Sequence, residues 1–251
     1  MSFTLKNKVA LVTGSSKGLG KAINKKFAEA GAKVVVNFYN GEEKAQETYD
    51  ELKAMGAEVL MIRADATDEK QVNALVAEVE AKHGPIDILV PNATPDQPQK
   101  SIEDYSWDDY MSMINFFVKS PFLLTRAVLP NMKERQSGRI ISIASEVYEK
   151  SVGNFSAYVA TKGAQLGWTR SMATELAPWG ITVNSVCPGW IPVERHEQDC
   201  QKVKDEYLAG IPLNRWGKPQ DVANTIQFLA SDEASFITGE NIMISGGNSH
   251  F

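Results

Sequence analysis

Short apolar runs rich in β-branched residues alternate along this chain with longer amphipathic stretches, and no other feature limits its fold as much. The runs VALV, VVV, DILV and RIISI are apolar almost without interruption. A strand wet on one face alternates polar and apolar residues, so continuous runs point to strands buried on both faces, as in parallel sheets. The pattern predicts strands at 8–13, 33–38, 58–63, 86–90, 138–144, 182–188 and 241–245, and helices at 21–30, 41–55, 69–83, 107–135, 157–177 and 220–230. Strands alternating with helices imply an α/β fold: a doubly wound parallel sheet with helices on both faces. Gly31, Gly56 and Gly84-Pro85 stand where the first three helices must stop. No linker or repeat divides the chain, so 1–251 reads as a single domain of a size that buries a full core. One segment resists the pattern. Residues 189–219 carry three prolines and no clear period, which suits a lid over a binding site.

Composition narrows the partners. The net charge of −5, with Lys and Arg scattered, argues against nucleic acid or an anionic membrane as the main partner. MSFTLKNKVALV holds no apolar run of signal-peptide length, and no later window approaches a membrane span. Two cysteines, Cys187 and Cys200, are too few for a disulfide framework and suit a cytoplasmic protein. Cys187 ends an apolar strand and reads as an inert core thiol. His83, His196 and His250 have no metal-ligand spacing and read as surface residues, so no metal is expected.

The stretch TGSSKGLGKA, residues 13–22, joins the first strand to the first helix. A helix amino terminus offers unpaired N–H groups and the positive end of the dipole, which attract phosphate. Gly14, Gly18 and Gly20 let backbone approach a pyrophosphate closely. Alone, such a turn is equally at home in a purely structural role; its place at the first β–α junction favours a nucleotide.

The spacing TGxxxGxG resembles the short-chain dehydrogenase/reductase family, and the similarity runs along nearly the whole chain. It continues through Asp65-Ala66 in RADATD, Asn92-Ala93 in LVPNAT, and Ser145, Tyr158 and Lys162 in SEVYEKSVGNFSAYVATKG. ITVNSVCPGW, with Pro188 and Gly189, and ASFITGENIMISGG complete the series. The resemblance implies a Rossmann-type fold and binding of NAD or NADP by Gly14, Ser16, Lys17, Gly18, Leu19, Gly20, Asp65, Ala66, Asn92, Ala93, Tyr158, Lys162, Pro188, Gly189 and Ile191. It also implies a homotetramer built through the fourth and fifth helices and the carboxy-terminal strand region.

Tyr158 and Lys162 are four residues apart on a predicted helix and share a face. A free tyrosine ionises near pH 10, and a neighbouring ammonium favours the phenolate. The tyrosine then exchanges a proton with an alcohol or carbonyl oxygen that Ser145 orients, while the nicotinamide carries hydride. An isolated YxxxK pair usually means nothing; this one follows a strand-end serine by thirteen residues. No GxSxG elbow supports a hydrolase.

Three positions depart from the family pattern. Thr94 replaces the glycine of NNAG, and Val193 replaces a lid threonine. Phe117 falls where the family has an asparagine in the long fourth helix; Asn115, two residues earlier, is turned by roughly 200°. A gap-free alignment calls for no bulge there, so a reduced or rerouted proton relay is expected. The acid that selects NAD at the end of the second strand is absent, because that position is Phe38. With Lys17 in the loop this favours NADP, although Tyr39 stands where many NADP users have arginine; NAD remains the alternative.

These readings describe an oxidoreductase that interconverts a small-molecule carbonyl compound and a secondary alcohol, similar to 3-oxoacyl carrier-protein reductases and glucose dehydrogenases. Lys133, Arg135 and Arg139 are candidates for holding an acidic carrier, but residues 175–183 offer no basic partner. The polar lid residues Glu194, Arg195, His196 and Glu197 suit a small polar ketone or sugar instead. The competing reading is a nucleotide-binding sensor or scaffold with degraded catalysis, motivated by Phe117, Thr94 and Val193.

Overall fold

The computed structural model describes residues 3–250; Met1, Ser2 and Phe251, which the single-domain reading includes, and the Arg195 side chain lie outside the described residues. Seven parallel strands form one sheet: β1 (Val9–Val12), β2 (Lys33–Phe38), β3 (Val59–Arg63), β4 (Ile88–Val90), β5 (Gly138–Ile143), β6 (Ile181–Pro188) and β7 (Asn241–Ile244). Their spatial order is β3-β2-β1-β4-β5-β6-β7. The chain therefore winds outward from β1 in one direction, then reverses from β4, which opens a crevice beyond the carboxyl ends of β1 and β4.

The apolar runs do what their continuity implies. Val12, Val34, Val36, Ile88 and Ile141 pack on one face, with Ile23 and Phe27 of α1 (Gly18–Glu29) and Val222, Ile226 and Leu229 of α9 (Pro219–Ala230). Leu11, Val35, Leu89, Ile140 and Val183 pack on the other, with α3 (Glu69–His83), α5 (Ser120–Arg135) and α7 (Ser156–Leu176). The remaining helices are α2 (Glu42–Ala54), α4 (Trp107–Ile114), α6 (Val147–Lys150) and α8 (Gln201–Ala209). Asp68 caps α3 by accepting from the Gln71 N–H, and Ser106 and Asp109 form a reciprocal capping box at the start of α4.

Three expectations need correction. The first helix begins at Gly18, inside the glycine loop, because the loop backbone already curls into the first turn. The helix expected over 107–135 is broken: Asn115–Lys119 form a π turn, with the Ser120 N–H donating to the Asn115 carbonyl. Within 189–219 a helix appears, α8, that has no buried residue and hence no apolar stripe to announce it.

Candidate active site

The glycine loop is stitched to the end of β4. Thr13 Oγ1 accepts from the Asn92 and Ala93 N–H groups at 3.0 and 3.1 Å. The Asn92 side-chain amide donates to the carbonyls of Thr13 and Gly14 at 2.9 and 3.0 Å. Gly14 has φ +62°, and a Cβ there would lie 2.8 Å from Ala93 Cα. Its N–H donates to Asn37 Oδ1 at 3.1 Å, and Thr48 donates to the Ser16 carbonyl at 2.7 Å. Lys17 is the N-cap residue of α1, yet no side chain caps that helix and its first turn holds no acid. A crowded glycine cradle ending in uncapped N–H groups fits a pyrophosphate. Pro188 ends β6, and the segment that follows folds back over the loop: a Cβ on Gly18 would lie 3.7 Å from Val193 Cβ and 3.5 Å from Glu194 Oε2. Gly18, Trp190, Val193 and His196 are among the walls of a cleft of about 780 Å³ there. Asp65 follows β3, where one carboxylate oxygen accepts from the N–H and hydroxyl of Thr67 at 2.8 and 2.7 Å.

Beside this cradle, β5 delivers Ser145 and α7 delivers Tyr158 and Lys162; all three are at least nine-tenths buried. Ser145 Oγ accepts from the Val147 N–H at 3.3 Å. Lys162 Nζ donates to the Ile143 carbonyl at 2.6 Å and to Gln165 Oε1 at 2.9 Å, and lies 5.3 Å from the centre of the Tyr158 ring. Phe155 tilts against Tyr158 at 4.7 Å between ring centres. An ammonium and a phenol thus lie side by side in a partly apolar recess, with the ammonium bonded to the Ile143 carbonyl of the strand that leads to Ser145. That arrangement can protonate a carbonyl oxygen as hydride reaches its carbon.

The family model described as "Enoyl-(Acyl carrier protein) reductase" matches residues 14–249. The 3-oxoacyl-[acyl-carrier-protein] reductase of Staphylococcus aureus is 41% identical over 96% of this chain and 97% of its own length. A subunit of (2S)-[(R)-hydroxy(phenyl)methyl]succinyl-CoA dehydrogenase from Thauera aromatica is 38% identical, over 98% of each chain. Among solved structures, a gluconate 5-dehydrogenase from Burkholderia cenocepacia in complex with NADP and tartrate superposes with a TM-score of 0.92, at 32% identity, covering 98% of this chain and 96% of that one. The chain belongs to the short-chain dehydrogenase/reductase family. It is an NAD(P)-dependent oxidoreductase acting between carbonyl and alcohol.

As a dehydrogenase/reductase it departs from the family pattern in instructive ways. Thr94 is exposed, its hydroxyl accepting from Gln97 at 2.6 Å, so the extra side chain is turned into its own loop. Val193 lies against Gly18, where it offers packing and no donor. The candidate carrier-binding residues are engaged within the fold. Arg135 pairs with Asp87 at 2.5 Å, Arg139 is buried near Asp232, and Lys133 sits over the Trp179 ring. All three cluster where β5 begins, at the amino-terminal edge of the sheet, opposite the cleft. Cys187 is buried, and that burial pushes its thiol up to about 11. His250 is exposed, but His83 and His196 are half-buried; His196 Nδ1 accepts from the Val193 N–H at 3.1 Å. Among the described residues no cluster of His, Cys, Asp and Glu could hold a metal ion.

Sequence reasoning missed a polar node that ties residues 189–219 to the turn after Ser145. Glu146, next to Ser145, is 3% exposed. It accepts hydrogen bonds from the Tyr207 hydroxyl of α8 and, at 2.9 Å, from Ser249. The Trp190 N–H donates to the Tyr207 oxygen at 2.6 Å, and the ring stacks on Trp216 at 5.5 Å. Burial, together with the Glu146 carboxylate, holds the Tyr207 hydroxyl far above the usual phenol range. Tyr207 and Glu146 are 61 residues apart, and no local spacing links them. Replacing Tyr207 with phenylalanine leaves a buried carboxylate oxygen and an N–H without their partner. It should cost about 1–3 kcal/mol of stability and raise KM more than it lowers kcat, as measured by thermal melting and steady-state kinetics.

Proposed function

We propose that this enzyme uses NADP(H) to interconvert a small carbonyl compound and its secondary alcohol, with Tyr158 as acid/base, Ser145 orienting the oxygen and Lys162 holding Tyr158 in its working environment. The Lys162 ammonium 5.3 Å from the centre of the Tyr158 ring, and bonded to the Ile143 carbonyl of the strand that leads to Ser145, supports the reading. When bound, the nicotinamide supplies or takes the hydride. Gly14, Ser16, Lys17, Gly18, Leu19 and Gly20 would hold the pyrophosphate side, Asp65 and Ala66 the adenine side, and Asn92, Ala93, Pro188, Gly189 and Ile191 the nicotinamide side.

NADP is favoured over NAD by the end of β2. Phe38 closes that strand in register with Arg63 of β3, so no carboxylate waits for ribose hydroxyls. Arg63 donates to the Tyr39 carbonyl at 3.0 Å, and its guanidinium lies 5.6 Å from the centre of the Tyr39 ring. The arginine missing at position 39 is thus supplied by the neighbouring strand, exposed and with no acidic partner among the described residues. The gluconate 5-dehydrogenase from Burkholderia cenocepacia was solved in complex with NADP. Arg63→Leu should weaken NADPH binding about tenfold or more while leaving NADH binding within twofold, since a charge-assisted phosphate contact contributes on the order of 1.5–3 kcal/mol. Titration of both cofactors by tryptophan fluorescence measures the ratio, and an unchanged ratio removes Arg63 from the site.

The substrate is a 3-oxoacyl thioester or a small polar ketone or sugar. NADPH consumption across a panel of aldehydes, ketones, 3-oxoacyl thioesters and keto-sugars separates these. Tight NADPH binding with no turnover on any of them would instead establish a sensor. We also propose a cytoplasmic homotetramer: Trp107 and Met111 of α4 and Phe122 of α5 are exposed apolar residues on helices that a second copy would cover, and sedimentation velocity tests this. None of the described helices is long and apolar enough to cross a membrane.

A further inference from the structure

The fourth and fifth helices meet at the π turn Asn115–Lys119, and the buried residue of that turn is Phe117. Before the turn, Met113 joins Phe117 in an apolar cluster with Phe155, Ala157 and Tyr158; after it, Leu124, Val128 and Met132 face the sheet. The extra residue in the turn lets the two helices it joins present differently directed faces. Its consequence is specific. The Lys162 ammonium stands 3.8 Å from the centre of the Phe117 ring, while the same ring meets Tyr158 edge-on, at 5.4 Å and 71°.

An aromatic face carries partial negative charge, and a cation within about 6 Å of its centre is attracted, more strongly where water is excluded. Phe117 is 5% exposed and Lys162 2%, so this pair is desolvated. The ring contacts both members of the acid/base pair and nothing about it can donate or accept a conventional hydrogen bond. We infer that Phe117 is a positioning residue: its π face seats the Lys162 ammonium, together with the Ile143 carbonyl and Gln165 Oε1, and its contact with Tyr158 keeps the phenol aligned with that charge. The inference rests on the proposed reductase function. It turns the departure at position 117 from a defect in the catalytic apparatus into a working part of it.

The test separates ring electrostatics from ring shape. Wild-type enzyme is compared with protein carrying 4-fluoro-, 3,5-difluoro- and 3,4,5-trifluorophenylalanine at position 117, which keep the fold and progressively weaken the π face, and with Phe117→Leu and Phe117→Tyr. Expected are a stepwise fall in kcat along the fluorine series, on the order of tenfold at its end, a KM within twofold throughout, and retention of most activity in Phe117→Tyr. A kcat that is flat along the series overturns the inference, whatever Phe117→Leu does to folding. A second readout does not depend on turnover: the ε-methylene protons of Lys162 should show an upfield ring-current shift that Phe117→Leu removes. Absence of that shift overturns the seat itself. If wild-type protein turns over no carbonyl in the panel, the reductase reading and the positioning role fall together, while the ring-current measurement still reports whether the contact exists.

Discussion

Tyr158→Phe abolishes measurable turnover, with a loss of at least about 10²–10⁴, and leaves NADPH affinity nearly unchanged. The reason lies in what the substitution removes. The ring of Tyr158 packs against Phe117 and Phe155, and phenylalanine preserves those contacts. Only the hydroxyl is lost, and with it the group proposed to exchange a proton with the substrate oxygen. A proton then has to come from water in the cleft, which lacks a fixed position and the neighbouring ammonium. Stopped-flow or steady-state NADPH oxidation with the best substrate of the panel, alongside a fluorescence titration of NADPH, measures both halves. Retention of more than a tenth of the wild-type kcat would take the acid/base role away from Tyr158.

Gly20→Ala produces the second large effect, on cofactor binding. A Cβ at position 20 would lie 2.5 Å from the Gly14 carbonyl oxygen, 2.6 Å from Asn92 Nδ2 and 2.8 Å from Ser15 Cα. Two of these are backbone atoms and the third is an amide already committed to the Thr13 and Gly14 carbonyls, so none can step aside cheaply. The first turn of α1 must move away from the loop. Overpacking of this kind costs about 1–3 kcal/mol of stability. It also displaces the uncapped N–H groups proposed to face the pyrophosphate, so NADPH affinity should fall by about a hundredfold or more. Calorimetric titration against the variant, with circular dichroism to confirm folding, decides it. Near-normal affinity would show that the pyrophosphate is held elsewhere.

The sequence by itself determined the sheet, the glycine loop at the first β–α junction and the shared helix of Tyr158 and Lys162. Each is written in local terms. Continuous apolar runs report burial on both faces, a glycine-rich β–α junction reports close backbone approach, and a four-residue spacing reports a shared helix face. The tertiary structure decided what long-range contacts decide. Phe117 could be placed near the active site by alignment, but its position over the Lys162 ammonium depends on a π turn that no spacing rule demands. Helix α8 was invisible because it buries no residue of its own; the Tyr207 hydroxyl, bonded to a carboxylate far away in the chain, anchors it. Arg63 reads as an ordinary strand-end cation until the register of β2 with β3 lays it on Tyr39. Lys133, Arg135 and Arg139 read as free surface charge, and the tertiary structure engages them with Trp179, Asp87 and Asp232. Periodicity records which face of an element is buried. It does not record which distant partner that face or its tip will meet, and in this protein those meetings form the bond from Tyr207 to Glu146, the strand-borne arginine and the ring beneath the lysine.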